Sequence, residues 1–169
     1  MNDAQKKKGA EQPSPETTRR VQSLLFKCGA DTYALPVTDV YKVVDLQIGN
    51  INPLPRAHAK VVGITQYRGR IITVLDTLRL LTSSDEESDF LVPSGPQTRL
   101  LVLDRAARSL GLLVQSVGQI SSLVTAQEPS GRLVDPCTFR GDVVHLIDTE
   151  RLVLLAVNAE EFDQGRRPS

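Results

Sequence analysis

The sequence predicts a mainly β protein, two small closed barrels packed together with short helices, and three observations carry that prediction. Hydrophobic residues make up 40% of the 169 positions, but aromatics only 4%, with no Trp. A core must therefore come from Val, Leu and Ile, which favour strands, and the aromatic volume of a sandwich core is missing. The second observation is an internal repeat. Residues 65–81, TQYRGRIITVLDTLRLL, align with residues 137–153, CTFRGDVVHLIDTERLV, at a constant offset of 137 − 65 = 72. Six positions are identical, pairing Arg68 with Arg140, Gly69 with Gly141, Asp76 with Asp148, Thr77 with Thr149, Arg79 with Arg151 and Leu80 with Leu152. Chance would give about one. Third, each copy contains around five short apolar segments set apart by turn residues, the spacing of small barrels.

Residues 1–20 carry Lys6, Lys7, Lys8, Pro13, Pro15, Arg19 and Arg20 without an apolar run, which predicts a disordered tail and neither a signal peptide nor a membrane anchor. The tri-lysine would gain only about 1 kcal/mol per charge at an anionic membrane. Leu24–Phe26 reads as a strand, Cys28–Thr32 as a turn, and residues 33–44, YALPVTDVYKVV, as the returning arm of a hairpin. Leu35 and Val37 alternate, whereas Val40 and Val43 follow three-residue steps that predict a bend or bulge. A Pro-containing loop at 51–55, the Arg68-Gly69 turn and the apolar run Ile71–Leu75 follow. Asp76 is placed to cap a short helix.

Residues 82–98, with four acids, two prolines and a glycine, read as a linker. The second copy repeats the order: strand Leu100–Leu103, turn Asp104–Ser109, segment 110–121, loop Glu128–Pro136, Arg140-Gly141, run Val143–Ile147 and cap Asp148. The expected organisation is a domain over 21–157, with a first barrel near 33–81, a second near 100–147, terminal segments crossing over, and a flexible tail at 158–169.

The chemistry-bearing residues are sparse. Twenty basic against twenty acidic residues give a formal net charge of zero, without the positive footprint a nucleic-acid binder needs. Cys28 and Cys137 are too few for a disulfide scaffold or a zinc site and read as inert, reduced thiols. His58 falls in a polar loop. His145 could form a dyad with Asp148 serving Ser121 or Ser122, but a strand histidine is the simpler reading. No glycine-rich nucleotide loop, H-E-x-x-H or C-x-x-C occurs, and the acids at 85–89 lack the alternating donors of a calcium loop. The expectation is no catalytic residue, no metal and no cofactor. The repeated Arg-Gly has two equal readings: a tight turn in which Gly supplies positive φ, or an exposed guanidinium that forks onto a partner's oxygens.

Over about residues 22–155 these segments resemble the CheW family, adaptors of bacterial chemosensory arrays. The resemblance rests on YALPVTDV, on PLPRAHAKVVGITQYRGRIITVLD, and on LGLLVQSV and GDVVHLID in the second copy. It implies two intertwined five-stranded SH3-like barrels, no enzymatic activity, and a cytoplasmic protein recruited to receptor arrays at the inner face of the membrane. The implied partners are the cytoplasmic hairpin tip of methyl-accepting chemoreceptors and the regulatory domain of a CheA-type histidine kinase. Carried over residue by residue, the receptor-binding groove would involve Val40, Lys42, Gly63, Arg68, Gly111, Val117 and Ile120; kinase-binding residues are not indicated. Two positions depart from the family pattern: its N-L-R-G is QYRG here at 66–69, and a commonly acidic position is Lys42. Alternative readings are a module that binds only the kinase, and a small-barrel hydrolase, which would require a compact polar pocket.

Overall fold

The computed structural model describes residues 17–45, 50–54, 60–82, 98–105 and 108–164. Ten strands and two helices follow one another as β1 (Thr18–Cys28), β2 (Asp31–Pro36), β3 (Val40–Asp45), β4 (Val61–Tyr67), β5 (Arg70–Asp76), α1 (Thr77–Thr82), β6 (Arg99–Arg105), β7 (Arg108–Val114), β8 (Ser116–Ala126), β9 (Val134–Phe139), β10 (Asp142–Ile147) and α2 (Thr149–Gln164). The expected five strands and one helix per copy are present, and the protein is mainly β.

The strands form two five-stranded sheets, ordered β8-β1-β2-β10-β9 and β3-β6-β7-β5-β4. Replacing each strand of the first copy by its counterpart in the second, β1 by β6 through β5 by β10, converts one order into the other. Each sheet thus takes its hairpin, β1-β2 or β6-β7, from one copy and its remaining three strands from the other. The hairpin joins through a parallel ladder, Tyr33 and Ala34 opposite His145 and Leu146, or Leu110–Leu113 opposite Thr73–Asp76.

The sheets therefore do not divide at the expected limits of 33–81 and 100–147. Residues 31–36 belong with the second copy's strands and 99–114 with the first copy's. The chain changes sheet where the three-residue steps predicted a bend. Pro36 has no N–H with which to extend the β2 ladder, a 3-10 turn at Val37–Asp39 redirects the backbone, and Val40 opens the other sheet. The equivalent change follows Val114, where the Gln115 N–H bonds the Lys27 carbonyl.

Side chains close both sheets into barrels. Outer strand β8 packs against β9, and Lys42 Nζ of β3 lies 5.5 Å from the ring centroid of Tyr67 on β4. One core lies inside each barrel, Leu25, Ala34, Leu123 and Leu146 in the first and Ile72, Val74, Leu100 and Leu113 in the second. The largest core lies between them, where Phe26, Leu35, Leu75, Leu103 and Leu112 meet Leu80 of α1 and Leu152 of α2.

Both terminal boundaries differ from the expectation. Residues 18–20 are already strand, because Thr18, Arg19 and Arg20 pair with Ala126, Thr125 and Val124 through backbone hydrogen bonds that hydropathy does not register. At the other end α2 runs on to Gln164, beyond the limit at 157. Residues 1–16, His58, and most of the expected linker, 83–97, lie outside the described residues.

Candidate functional site

The two Arg-Gly turns are built alike. Both central residues have positive φ, 47° and 79° at Arg68-Gly69 and 51° and 85° at Arg140-Gly141. This is the type I′ geometry whose twist matches that of a hairpin, and it ordinarily takes Asn-Gly. A left-handed arginine costs about 1 kcal/mol. Each guanidinium lies against the preceding aromatic ring, 5.5 Å from the Tyr67 centroid and 5.2 Å from that of Phe139. Glycine makes the turn, as the first reading expects, and an exposed, ring-supported arginine stands at its tip.

Around Tyr67 the first copy adds what the second lacks. Lys42 Nζ sits 5.5 Å from the same ring centroid. Its hydrogen bond, aided by the charges of Arg68 and Lys42, lowers the Tyr67 phenol below its ordinary pKa. At the corresponding places of the second copy are Gln119 and Phe139, without a second cation or a hydroxyl. The two departures from the family pattern are therefore neighbours in space. Beside them the Arg70 guanidinium lies 5.3 Å from the ring centroid of Tyr41, which is exposed.

Of the residues expected in a receptor groove, the fold brings together Lys42 and Arg68 through Tyr67, and it packs Val40 and Val117, equivalent in the two copies, against the same central core. Ile120 is exposed on the outer strand β8. Gly63 and Gly111 are glycine for reasons internal to the fold. A Cβ on Gly63 would stand 2.3 Å from the Asn52 carbonyl oxygen, and one on Gly111 would stand 2.7 Å from Leu100 Cδ1 and 2.9 Å from Ile72 Cγ2. Sequence reasoning met Tyr67 only as a departure from the family pattern and did not single out Tyr41, Ile71 or Val143. The last two begin apolar runs that look uniformly buried, yet they are 67% and 59% exposed. Their signal was position: each is the second residue after an Arg-Gly turn, on the parity opposite to buried Ile72 and Val144.

The residues considered for catalysis are otherwise engaged. Asp76 and Asp148 accept the N–H groups of Arg79 and Arg151, both at 3.1 Å, the N-cap bonds expected. His145 packs its ring against Tyr33 at 5.4 Å, and Ser121 is buried opposite Ser23 in the β1–β8 ladder. Burial, and then the charge of Asp76, push the Cys28 thiol up to about 12, so it stays protonated and unreactive at neutral pH. A polar cleft of about 330 Å³ adjoins the start of α2, where Thr149 Oγ1 donates to Asp39 Oδ2 at 2.7 Å. Among the described residues no group of three or more His, Cys, Asp or Glu is spaced to hold a metal ion. No helix among them is long and apolar enough to cross a membrane.

Asp76 gives a pH prediction. It is 4% exposed, and burial raises its pKa above 3.8 against the opposing effects of the Arg79 N–H and charge. A carboxyl with a raised folded-state pKa stabilises the fold least when ionised, so its contribution declines as pH rises through that range. Asn retains the capping oxygen and cannot ionise. The melting temperature of Asp76→Asn relative to wild type is expected to increase between pH 3.5 and 7, and calorimetry at both ends checks the sign.

Comparison with known proteins agrees with this architecture. Residues 22–157 match the profile of the CheW-like domain. Protein FrzA of Myxococcus xanthus is 32% identical over 92 residues, 54% of this chain and 52% of FrzA, so the chain spans about half the length of the curated relative it matches. A crystal structure of the scaffolding protein TtCheW from Thermoanaerobacter tengcongensis superposes with a TM-score of 0.60 at 19% identity, covering 77% of this chain and 90% of that one.

Proposed function

The chain belongs to the CheW-like domain family, and from that premise we propose that it is a non-enzymatic adaptor of a bacterial chemosensory array. In this reading it couples the cytoplasmic tip of a methyl-accepting chemoreceptor to the regulatory domain of a CheA-type histidine kinase. It works in the cytoplasm, recruited to arrays at the inner face of the membrane. The observation that supports it best is the surface of the β3-β4-β5 barrel. Tyr41, Val43 and Ile71 are exposed apolar or aromatic residues of β3 and β5, with the Arg70 guanidinium against the Tyr41 ring. A protein-docking surface requires that combination; a hydrolase requires an enclosed pocket with a free nucleophile.

An amphipathic receptor helix would lay its apolar face near Val40, Val117 and Ile120, with Arg68 fixing its orientation at the rim. Arg68→Asn tests this, because Asn tolerates the left-handed turn while removing the guanidinium. The variant is expected to weaken binding to a purified receptor tip by about 1 to 4 kcal/mol, as truncation of an interface anchor does. Its melt should stay within about 0.5 kcal/mol of wild type, and its binding to the kinase regulatory domain should persist. Titration calorimetry against both partners is the measurement. Unchanged receptor affinity would reduce Arg68 to a turn residue, and kinase binding without any receptor binding would favour a kinase-only module.

A further inference from the structure

Lys42 and Arg68 place two cations against a single ring, each 5.5 Å from the Tyr67 centroid. Neither is in an ion pair among the described residues, whose ion pairs are Arg79–Asp76, Arg99–Asp45 and Arg151–Asp148. Two like charges beside one ring repel, and a carboxylate placed between them would relieve that repulsion while accepting from both. The geometry is prepared in advance. The I′ turn fixes the Arg68 backbone, and both cations already rest against the Tyr67 ring, so less side-chain freedom is lost on binding. The second copy serves as an internal control, since Gln119, Phe139 and Arg140 leave one cation on one ring.

We propose that Lys42, Tyr67 and Arg68 form a carboxylate clamp that selects partners whose docking helix presents a Glu or Asp there. The clamp rests on the adaptor reading and adds the chemistry by which one partner is chosen over another. A family relative with an acid at position 42 would repel the helix that this chain prefers, so exchange of the Lys42 charge separates two sets of partners without a change of fold.

The test is titration of a purified receptor hairpin tip, and of the same tip with each surface Glu or Asp changed singly to Lys. Wild type, Lys42→Glu and the control Arg140→Asn are each measured at low and high salt, with thermal melts of every variant. Lys42→Glu is expected to lose about tenfold or more in affinity at low salt, and less as salt rises. One acid-to-Lys change in the tip should restore binding to Lys42→Glu and weaken binding to wild type. Arg140→Asn should bind as wild type does. Equal binding of the tip by wild type and Lys42→Glu would overturn the clamp while leaving the adaptor standing. Failure of wild type to bind either the tip or the kinase domain would remove the adaptor reading and the clamp with it. Binding to phosphatidylglycerol vesicles that Lys42→Glu abolishes, with tip affinity unchanged, would assign the cluster to lipid and overturn the protein partner.

Discussion

A chain ending at Asp148 is expected to show no cooperative thermal transition. Truncation there removes α2, which contributes Leu152, Val153 and Ala156 to the central core, all buried. Burying Leu and Val contributes roughly 1.5 to 3 kcal/mol each, so these two alone supply about 3 to 6 of a total stability near 5 to 15 kcal/mol. Half-buried Leu155 and Val157, packed against the same core, add to the loss. The hydrogen bond from the Thr149 hydroxyl to buried Asp39 is lost as well, which costs about 1 to 3 kcal/mol more. Circular dichroism during heating decides the matter. A melt close to that of the full chain would show that α2 is not part of the core.

Gly63→Ala is expected to have the next largest effect, and to act through stability. The atom facing the new Cβ, at 2.3 Å, is a backbone carbonyl oxygen, which cannot move aside as a flexible side chain can. That oxygen accepts the Ile64 N–H at 2.8 Å, and the Asn52 N–H bonds the Ile64 carbonyl at 2.7 Å. Relieving the clash therefore breaks both bonds of the bridge that ties residues 50–54 to outer strand β4. Overpacking together with two lost hydrogen bonds is expected to cost about 2 to 5 kcal/mol. Denaturant titration measures it. Wild-type stability accompanied by lost receptor binding would instead mean that Gly63 faces the partner.

These two variants mark the limit of what was legible in the sequence. The helix caps, the hairpins, the bend after Pro36 and the duplication were all readable, because each depends on a few adjacent residues: an Asp before a short helix, a glycine able to adopt positive φ, a proline that ends a ladder. The assignment of strands to sheets was not readable. Either hairpin could in principle dock on either β5 or β10, since both offer the same pattern of apolar residues; the choice is made by packing across the whole molecule. For the candidate site, Lys42 and Arg68 were named from a family pattern, but their common neighbour Tyr67 was visible only as a departure from it. Twenty-five positions separate Lys42 from Tyr67, and only closure of the barrel brings β3 against β4. Gly63 and Gly111 were placed in a groove by the family resemblance, and only the fold discloses that Asn52 crowds the one and Leu100 and Ile72 the other.

The exchange of hairpins between the copies also bears on how the chain is made. A ribosome releases β1 and β2 long before their parallel partner β10, because β2 ends at Pro36 and β10 begins only at Asp142. The β3-β4-β5 group likewise waits for β6 and β7, which end at Val114. The second barrel, built from consecutive strands β3 to β7, can close once β7 has emerged, whereas the first must wait for β8 to β10, and its parallel ladder joins segments remote in sequence, the kind of pairing that forms slowly. Until β10 emerges, the β1-β2 hairpin stands with apolar Leu24, Phe26 and Leu35 uncovered, and in a crowded polysome the neighbouring nascent chain offers the same missing strands.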